Sequence, residues 1–251
     1  DMVRIASSAG ALQAGTQAWR MLVDAADAHY RPGTFTTFVA YEWTASGHDG
    51  GHLHRNVIVR NDRVPALPIS VMETGSMAIG LWERLDAECR DGKAGCESIT
   101  IPHNSNWSAG SAFSSAVAPA AEITQQEAEI RARYDRLVEV MQHKGESECA
   151  MTPGVTDEGC GFEKARDHQN PFASETPNEI DFVRTALKRG LVLAPALGTN
   201  PFRFGVIGST GRPRRRASDF TSKRIGAWSS LPMKAIGMIG ARARNACSTK
   251  P

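Results

Sequence analysis

A carboxylate stands at the end of one of the most apolar segments of the chain. Glu42 lies between Tyr41 and Trp43 in a stretch of β-branched and aromatic residues. Burying a carboxylate there is costly unless a cation or a hydrogen-bond donor compensates its charge. A metal ion would do so, and a salt bridge to an arginine is the alternative. We therefore predict that Glu42 is a metal ligand.

A glycine-rich run between residues 47 and 54 concentrates imidazoles at His48, His52 and His54. His52 and His54 share one face if this part of the chain is extended. Imidazole and carboxylate are the usual protein ligands of zinc, manganese and iron. The pattern predicts His54, next to a strand, as a metal ligand and His52 as a contact to the substrate or to the ligands. A solvated loop is the alternative.

The segment Ile101-Pro102-His103-Asn104-Ser105-Asn106 places a histidine where an apolar strand ends. The polar residues after it are of the types that hold the ligands of a metal in place. We predict His103 as a metal ligand and Asn104 as a contact to the substrate or to the ligands. A histidine that caps the next segment is the alternative.

Residues 138–145 place Glu139 inside a strand and His143 just beyond it. We predict that Glu139 orients a ligand or the substrate, and that His143 is a catalytic residue that contacts the substrate. A structural role is the alternative for both.

Other catalytic patterns are absent from the sequence. It contains no G-x-S-x-G, no G-x-x-x-x-G-K-[ST] and no G-x-G-x-x-G, which are the signatures of serine hydrolases and of phosphate-binding loops. A metal-free serine or cysteine hydrolase is an alternative to metal-dependent chemistry.

Predicted strands and helices alternate along the chain. The predicted strands are 34–43, 55–60, 98–102, 137–141 and 204–208, and the predicted helices are 11–29, 78–91, 121–136 and 177–189. Such alternation is typical of α/β folds with parallel strands covered by outer helices. In those folds chemistry takes place at the carboxyl ends of the strands, where Glu42 and His103 stand.

Composition and cysteine spacing limit the classes of protein to which the chain can belong. The chain has 251 residues, 41% hydrophobic and 22% charged, as in globular domains. It has no apolar run of the roughly 20 residues that a membrane span needs, and no signal peptide is visible. The pairs Cys89/Cys96 and Cys149/Cys160 could close two small disulfide loops, with Cys247 left over. Free buried thiols are the alternative. Disulfides would indicate a periplasmic or secreted protein.

Charge divides the chain unevenly. Residues 211–251 contain ten Lys or Arg and one acid, Asp219, whereas acids outnumber bases in residues 1–210. Because the basic segment lacks interleaved aromatic residues and any nucleic-acid motif, we predict no specific nucleic-acid partner.

Several segments together resemble a known family. They are FTTFVAYEWTASGHDGGHLHRNVIVRN, LWERLDAECRDGKAGCESITIPHNSN, LVEVMQHKGESEC, DEGCGFE and NPFRFGVIGST, which lie within residues 30–210. They resemble the family known as domain of unknown function 3604, related to the polymerase-and-histidinol-phosphatase (PHP) metallohydrolases. The resemblance implies a partial, distorted (β/α)7-type barrel, two or three divalent ions (Zn, Mn or Fe) and hydrolysis of a small-molecule ester, most often a phosphoester.

The resemblance also implies roles for single residues. Glu42 matches a bridging carboxylate, His103 matches a strand-end ligand and His54 matches a further ligand. Glu139 lies in the family's strand pattern.

The sequence departs from the PHP pattern at two places. It has neither an H-x-H strand nor an Asp-His pair upstream of the matching segments, and Gly211-Arg212-Pro213 stands where an Asp-x-His motif is expected. We therefore expect residues 1–210 to form a partial metallohydrolase domain and residues 211–251 to be an atypical tail, non-native or disordered. Fewer ligands imply weaker metal binding. A non-catalytic remnant or binding module on the same scaffold is the alternative function.

Overall fold

A computed structural model describes residues 9–47, 50–60, 62–92, 94–118, 121–142, 144–151, 155–162, 164 and 178–208 of the chain. The helices are α1 (Ala9–His29), α2 (Val71–Thr74), α3 (Ala78–Leu85), α4 (Gln125–Tyr134) and α5 (Val183–Leu197). The strands are β1 (Val39–Trp43), β2 (Arg55–Val59), β3 (Ser98–Pro102), β4 (Leu137–Gln142), β5 (Gly145–Glu146) and β6 (Gly205–Gly208). Short helical turns lie at Asp86–Arg90, Ser105–Trp107, Glu158–Gly161 and Glu179–Asp181.

The strands form two three-stranded sheets. The first has the order β1-β2-β3, and both of its pairings are antiparallel. The second has the order β5-β4-β6, in which β4 is antiparallel to β5 and parallel to β6. A parallel bridge between Thr100 of β3 and Asp135, which precedes β4, links the two sheets.

The prediction of a partial (β/α)7-type barrel with parallel strands is wrong. The described strands form one antiparallel and one mixed sheet, and they do not close into a barrel. The reason lies in the connections. A parallel crossover needs a dozen or more residues, usually a helix, whereas β1 and β2 are joined by residues 44–54, whose described part contains no α-helix.

Side-chain hydrogen bonds start two of the helices. Thr124 accepts from the backbone amide of Glu127 at the start of α4. Ser70 and Glu73 form a reciprocal capping box at the start of α2, which satisfies two amide donors that a helix leaves open. None of the described helices has the length and apolar character needed to cross a bilayer.

The predicted end of the last helix is wrong. The helix predicted over 177–189 continues to Leu197 and ends at Gly198, whose φ of 70° is left-handed. Gly190 instead lies against Asn200, where a Cβ atom would come within 2.1 Å of the side-chain oxygen. The glycine therefore permits close packing inside the helix, not its termination.

Apolar residues pack in three clusters. The largest lies between the first sheet and the helices α1 and α3, around Trp43 and Trp82. The second packs α5 against β4, around Phe113 and Phe202. The third covers the opposite face of the first sheet, and its partly buried members include Leu137 of β4, so it joins the two sheets.

Two buried ion pairs lie against Trp82 of the largest cluster, and one of them joins the two sheets. The guanidinium of Arg55 donates to both carboxylate oxygens of Asp135 at 3.3 Å, and Thr100 donates to the same carboxylate at 2.5 Å. Arg131 donates to Glu127 at 3.2 Å. All five side chains are fully buried, so each charge depends on its partner.

Both predicted cysteine pairs form disulfides. Cys89 is bonded to Cys96 and Cys149 to Cys160. Cys247 lies outside the described residues. The two bonds agree with an oxidising compartment, and a periplasmic or secreted location stays a prediction.

Candidate metal centre

Strand alternation carries Glu42, His54 and His103 to one face of the first sheet. Glu42 follows Ala40 by two residues on β1, and His103 follows Ile101 by two residues at the end of β3. Residues two apart on a strand share a face, and Ala40 and Ile101 both belong to the third apolar cluster. His54 precedes β2 and faces His103, whose amide donates to the His54 carbonyl at 3.5 Å. The three side chains therefore stand at the polar end of an apolar sheet face.

The three side chains form a compact triad. Nδ1 of His54 lies 2.8 Å from Oε1 of Glu42, and Nε2 of His103 lies 3.5 Å from the same oxygen. One ligand atom from each residue lies within 4.8 Å of the others. Ligand atoms about 2 Å from a shared ion are about 3–4 Å apart, so the triad is close to the spacing that a single ion requires.

Burial of the triad favours the protonation state of His54 that binds metal ions. All three side chains are 10% exposed or less. Burial lowers the pKa of His54, an effect that the hydrogen bond and charge of Glu42 oppose and that the charges of His103 and Lys144 reinforce. A lowered pKa favours the neutral imidazole, which is the form that binds metals.

The donor set fits a divalent transition metal. Two imidazoles and one carboxylate suit Zn, Mn or Fe, and three protein ligands are the number that catalytic sites use while a fourth position stays open. Nδ1 of His103 is buried and has no hydrogen-bond partner among the described residues. The other ring nitrogen, Nε2, lies 3.5 Å from the Glu42 carboxylate. This position of the ring is the one expected if His103 and Glu42 bind the same ion.

His52 and Trp107 form one wall beside the triad. The His52 ring stacks on the His54 ring with centroids 4.2 Å apart, and its edge meets the Trp107 ring at 5.3 Å. The amide of His52 donates to the Trp107 carbonyl at 2.8 Å. A Cβ atom on Gly51 would come within 2.4 Å of the Ser108 carbonyl oxygen, so this close approach requires glycine. The role of His52 as a contact to the substrate or to the ligands stays a prediction.

Asn104 begins a tight turn directly after His103. Its φ of 54° is left-handed, a conformation that asparagine tolerates better than most residues. The side chain is 1% exposed, and neither atom of its amide has a partner among the described residues. The sequence placed Asn104 beside the triad, and its role toward substrate stays a prediction.

Lys144 is a charged residue near the triad that the sequence analysis missed. Its Nζ lies 5.5 Å from the centre of the Trp107 ring, and its charge contributes to lowering the pKa of His54. Asn106 donates to the Lys144 carbonyl at 3.1 Å and accepts from Ser147 at 2.8 Å. These bonds tie the chain around Lys144 to the turn after His103. The contact joins residues about 40 positions apart, so no local pattern could reveal it.

The remaining predicted site residues are less closely tied to the triad. Glu139 lies two residues after Leu137 on β4, so the two side chains share one face of the strand. Leu137 packs in the third cluster, and the Glu139 carboxylate therefore lies on the face that carries this cluster. Gln142 donates to that carboxylate at 3.3 Å. His143, the predicted catalytic residue, lies outside the described residues, as does His48. Their roles stay predictions.

A buried carboxylate anchors the loop after the triad. Oδ1 of Asp181 accepts from the hydroxyl of Ser108 and, at 2.6 Å, from the amide of Gly110. Burial raises the pKa of Asp181 to about 6, although both hydrogen bonds favour the charged form. Asp181 therefore holds residues 108–110 in place while its own ionisation works against the folded state.

Asp181→Asn is expected to remove a pH dependence of stability. The folded state holds this proton up to about pH 6, and the unfolded state releases it near the ordinary value of 3.8. The wild-type free energy of unfolding should therefore fall as pH rises through this window, by up to about 3 kcal/mol from this group. The amide oxygen of asparagine can accept both hydrogen bonds without a charge.

Urea unfolding at several pH values between about 4 and 7 measures this effect. The advantage of Asp181→Asn over the wild type should grow with pH and level off above about 6, since above that value the wild-type carboxyl is ionised. A difference between the two proteins that is constant across the range would contradict the assignment.

The fold and geometry define the site as a buried triad of two histidines and one carboxylate at the end of an antiparallel sheet. The chain belongs to the family described as Protein of unknown function (DUF3604), which it matches over residues 3–239. The match extends into the basic segment 211–251. The division of the chain into a domain over residues 1–210 and an atypical tail stays a prediction. No curated protein and no solved structure matches the chain.

Proposed function

We propose that this chain is a metal-dependent hydrolase of small-molecule esters, with the chemistry of the PHP metallohydrolases. One observation carries the proposal: Glu42, His54 and His103 come from three separate strand ends and bring their ligand atoms within 4.8 Å of one another. Burial of this set without an ion has a desolvation cost, which supports a bound cation as its purpose.

Glu42, His54 and His103 are the proposed ligands. A bound ion would supply a water of lowered pKa and would polarise the oxygen under attack. Glu42 would offset part of the charge of the ion, and burial favours the neutral form of His54 by lowering its pKa. Asn104 and Glu139 are proposed to orient the substrate or the ligands, and His143 to contact the substrate and exchange a proton with it.

A non-catalytic binding module is the second candidate. It is favoured by the number of ligands, since the described residues bring together one group of three potential ligands, whereas the family resemblance implies two or three ions. Such a site would hold one ion without assembling the rest of a hydrolytic centre.

Metal titration combined with an ester panel tests the proposal. The full chain, stripped with chelator, is titrated with Zn²⁺, Mn²⁺ and Fe²⁺, and bound metal is measured by calorimetry and elemental analysis. The panel contains p-nitrophenyl phosphate, bis(p-nitrophenyl) phosphate, p-nitrophenyl sulfate and p-nitrophenyl acetate. We expect one bound ion per chain and ester hydrolysis that disappears with chelator and returns with metal.

The possible outcomes separate the candidates. Metal binding without turnover of any ester supports the binding module. Hydrolysis that is insensitive to chelator supports a metal-free serine or cysteine hydrolase. Failure to bind any of the three metals contradicts both metal-based functions.

A further inference from the structure

We propose that the outward face of α5 is a docking surface for an anionic lipid bilayer, to which the protein binds without crossing it. The surface consists of five exposed residues, which are Lys188, Leu191, Val192, Pro195 and Ala196. None of them belongs to the triad or to the residues proposed around it. The inference therefore goes beyond the proposed function and does not depend on it.

Helical spacing places this surface on one side of α5. Four of its residues have the spacing i, i+3, i+4 and i+7 of side chains that share a helix face, and they are Lys188, Leu191, Val192 and Pro195. Leu191 and Val192 are 71% and 77% exposed. After Lys188 the face is therefore apolar over the last two turns of the helix and open to the surroundings.

The other side of α5 already has its packing partners. Ala186, Leu193 and Leu197 pack in the second apolar cluster, which joins α5 to β4. Residues 191–197 contain no polar side chain, and a helix segment that is apolar on every side is normally buried. The exposed side of this segment is therefore expected to contact a partner outside the described part of the chain.

Charge selects an anionic partner for this surface. Residues 182–251 contain 14 Lys or Arg and one acid, Asp219. A surface in such a segment attracts anions and repels cations. The charge balance therefore disfavours the basic segment 211–251, and the same face of a second copy, as the occupant.

Lys188 supplies a positive charge on the face itself. Arg184, one turn earlier, pairs with Glu148 at 2.7 Å and with Asp157 at 2.6 Å, so its charge is balanced within the protein. Lys188 is exposed one turn before Leu191 on the same face. Its ammonium can therefore reach an anionic headgroup while the apolar turns that follow it enter the bilayer surface.

The residue types favour lipid over an acidic protein. The apolar part of the surface is aliphatic, with Leu191, Val192, Pro195 and Ala196, whereas the cores of protein interfaces are enriched in aromatic residues, Met and Arg. Aliphatic side chains beside a lysine suit the boundary between headgroups and acyl chains, where apolar burial and attraction to anionic lipids add together. The basic segment 211–251 strengthens that attraction.

Sedimentation of the full chain with lipid vesicles tests the proposal. Vesicles of phosphatidylcholine with about 30% phosphatidylglycerol are compared with vesicles of phosphatidylcholine alone, in about 0.1 M salt. We expect binding to the anionic vesicles and little binding to the neutral ones. The double variant Leu191→Ser/Val192→Ser should weaken binding to the anionic vesicles about tenfold or more, because two aliphatic side chains are no longer buried in lipid.

The matched control replaces two exposed methionines on other helices. Met21 of α1 and Met72 of α2 are 64% and 66% exposed, and the double variant Met21→Ser/Met72→Ser should bind like the wild type. Lys188→Gln should weaken binding about fivefold in about 0.1 M salt, and this difference should shrink in about 0.5 M salt. Urea unfolding of each variant checks that the fold is retained.

Leu191→Trp provides a change of opposite sign that does not depend on the serine variant. Tryptophan is favoured at the boundary between a membrane and water, so this variant should bind the anionic vesicles more tightly than the wild type. Lipids brominated on their acyl chains should quench the added indole. Tighter binding without this quenching would contradict insertion of the face.

Several results would overturn the proposal. Unchanged binding in Leu191→Ser/Val192→Ser would place the vesicle contact in the basic segment 211–251, and absence of binding by the wild type would remove the membrane altogether. A dimer in sedimentation velocity without lipid that this variant dissociates would identify a second copy as the occupant. Binding of polyglutamate that depends on Leu191 and Val192 would identify an acidic protein instead. None of these measurements uses metal or esters, so their outcome is independent of the proposed hydrolase.

Discussion

Glu42→Gln is expected to lower the affinity of the chain for Zn²⁺ by about 100-fold or more, because it removes one of three ligands and the one negative charge of the triad. Glutamine has nearly the same size as glutamate, and its amide oxygen can still accept from Nδ1 of His54. The fold is therefore expected to survive, and the loss reports on the carboxylate. The same substitution should abolish metal-dependent ester hydrolysis.

A change in the protonation state of His54 does not explain a weaker zinc affinity of Glu42→Gln. The hydrogen bond and charge of Glu42 oppose the lowering of the His54 pKa by burial. Without that carboxylate the pKa of His54 falls further, which favours the neutral, metal-binding form of the imidazole. A weaker affinity for Zn²⁺ in Glu42→Gln therefore cannot come from protonation of His54.

Calorimetric Zn²⁺ titration of the wild type, Glu42→Gln and Glu129→Gln provides the measurement. Glu129 is an exposed glutamate on α4 that accepts from Gln125, so its substitution changes net charge equally and should leave the affinity unaltered. His103→Ala is expected to match Glu42→Gln. Unchanged affinity in Glu42→Gln would show that any bound zinc lies elsewhere.

The convergence of the triad could be foreseen because it depends on strand ends. Glu42 and His103 each stand two residues beyond an apolar residue of their strand, and alternation alone puts them on the same face as Ala40 and Ile101. The direction of the strands was not foreseeable in the same way. A pattern of alternating helices and strands is compatible with either direction when a connection is long and contains helices, as between β2 and β3, which are antiparallel although α2 and α3 lie between them.

Two contacts in the polar surroundings of the triad could not be predicted, because they join residues that are distant in the sequence. Lys144 reaches Trp107 across 37 positions of sequence, and Asp181 reaches Ser108 across 73. Neither pair forms part of a local motif. The disulfides were predictable for the opposite reason, since Cys89 and Cys96 are separated by only seven positions around a turn.

The buried ion pair between the sheets carries the largest expected effect on stability. Asp135→Asn is expected to lower the free energy of unfolding by about 3–5 kcal/mol, the usual result of leaving a buried charge without its partner. Arg55 donates to both oxygens of Asp135. In the variant one of these oxygens becomes an NH₂ group, which cannot accept a hydrogen bond and faces another donor. Arg131 also loses the stabilising charge of Asp135.

An exposed ion pair in the same sheet region supplies the matched control. Arg60 pairs with Glu97 at 2.7 Å, but the two side chains are 77% and 65% exposed. Glu97→Gln removes a carboxylate that pairs with an arginine at the surface and should change the free energy of unfolding by less than about 1 kcal/mol. Urea unfolding at constant pH, with both disulfides intact, compares the two variants. Equal losses would mean that burial adds nothing to the Arg55–Asp135 pair. A much larger loss in Asp135→Asn would establish that this pair, where Thr100 and Asp135 bridge the sheets, holds together the scaffold that positions the triad.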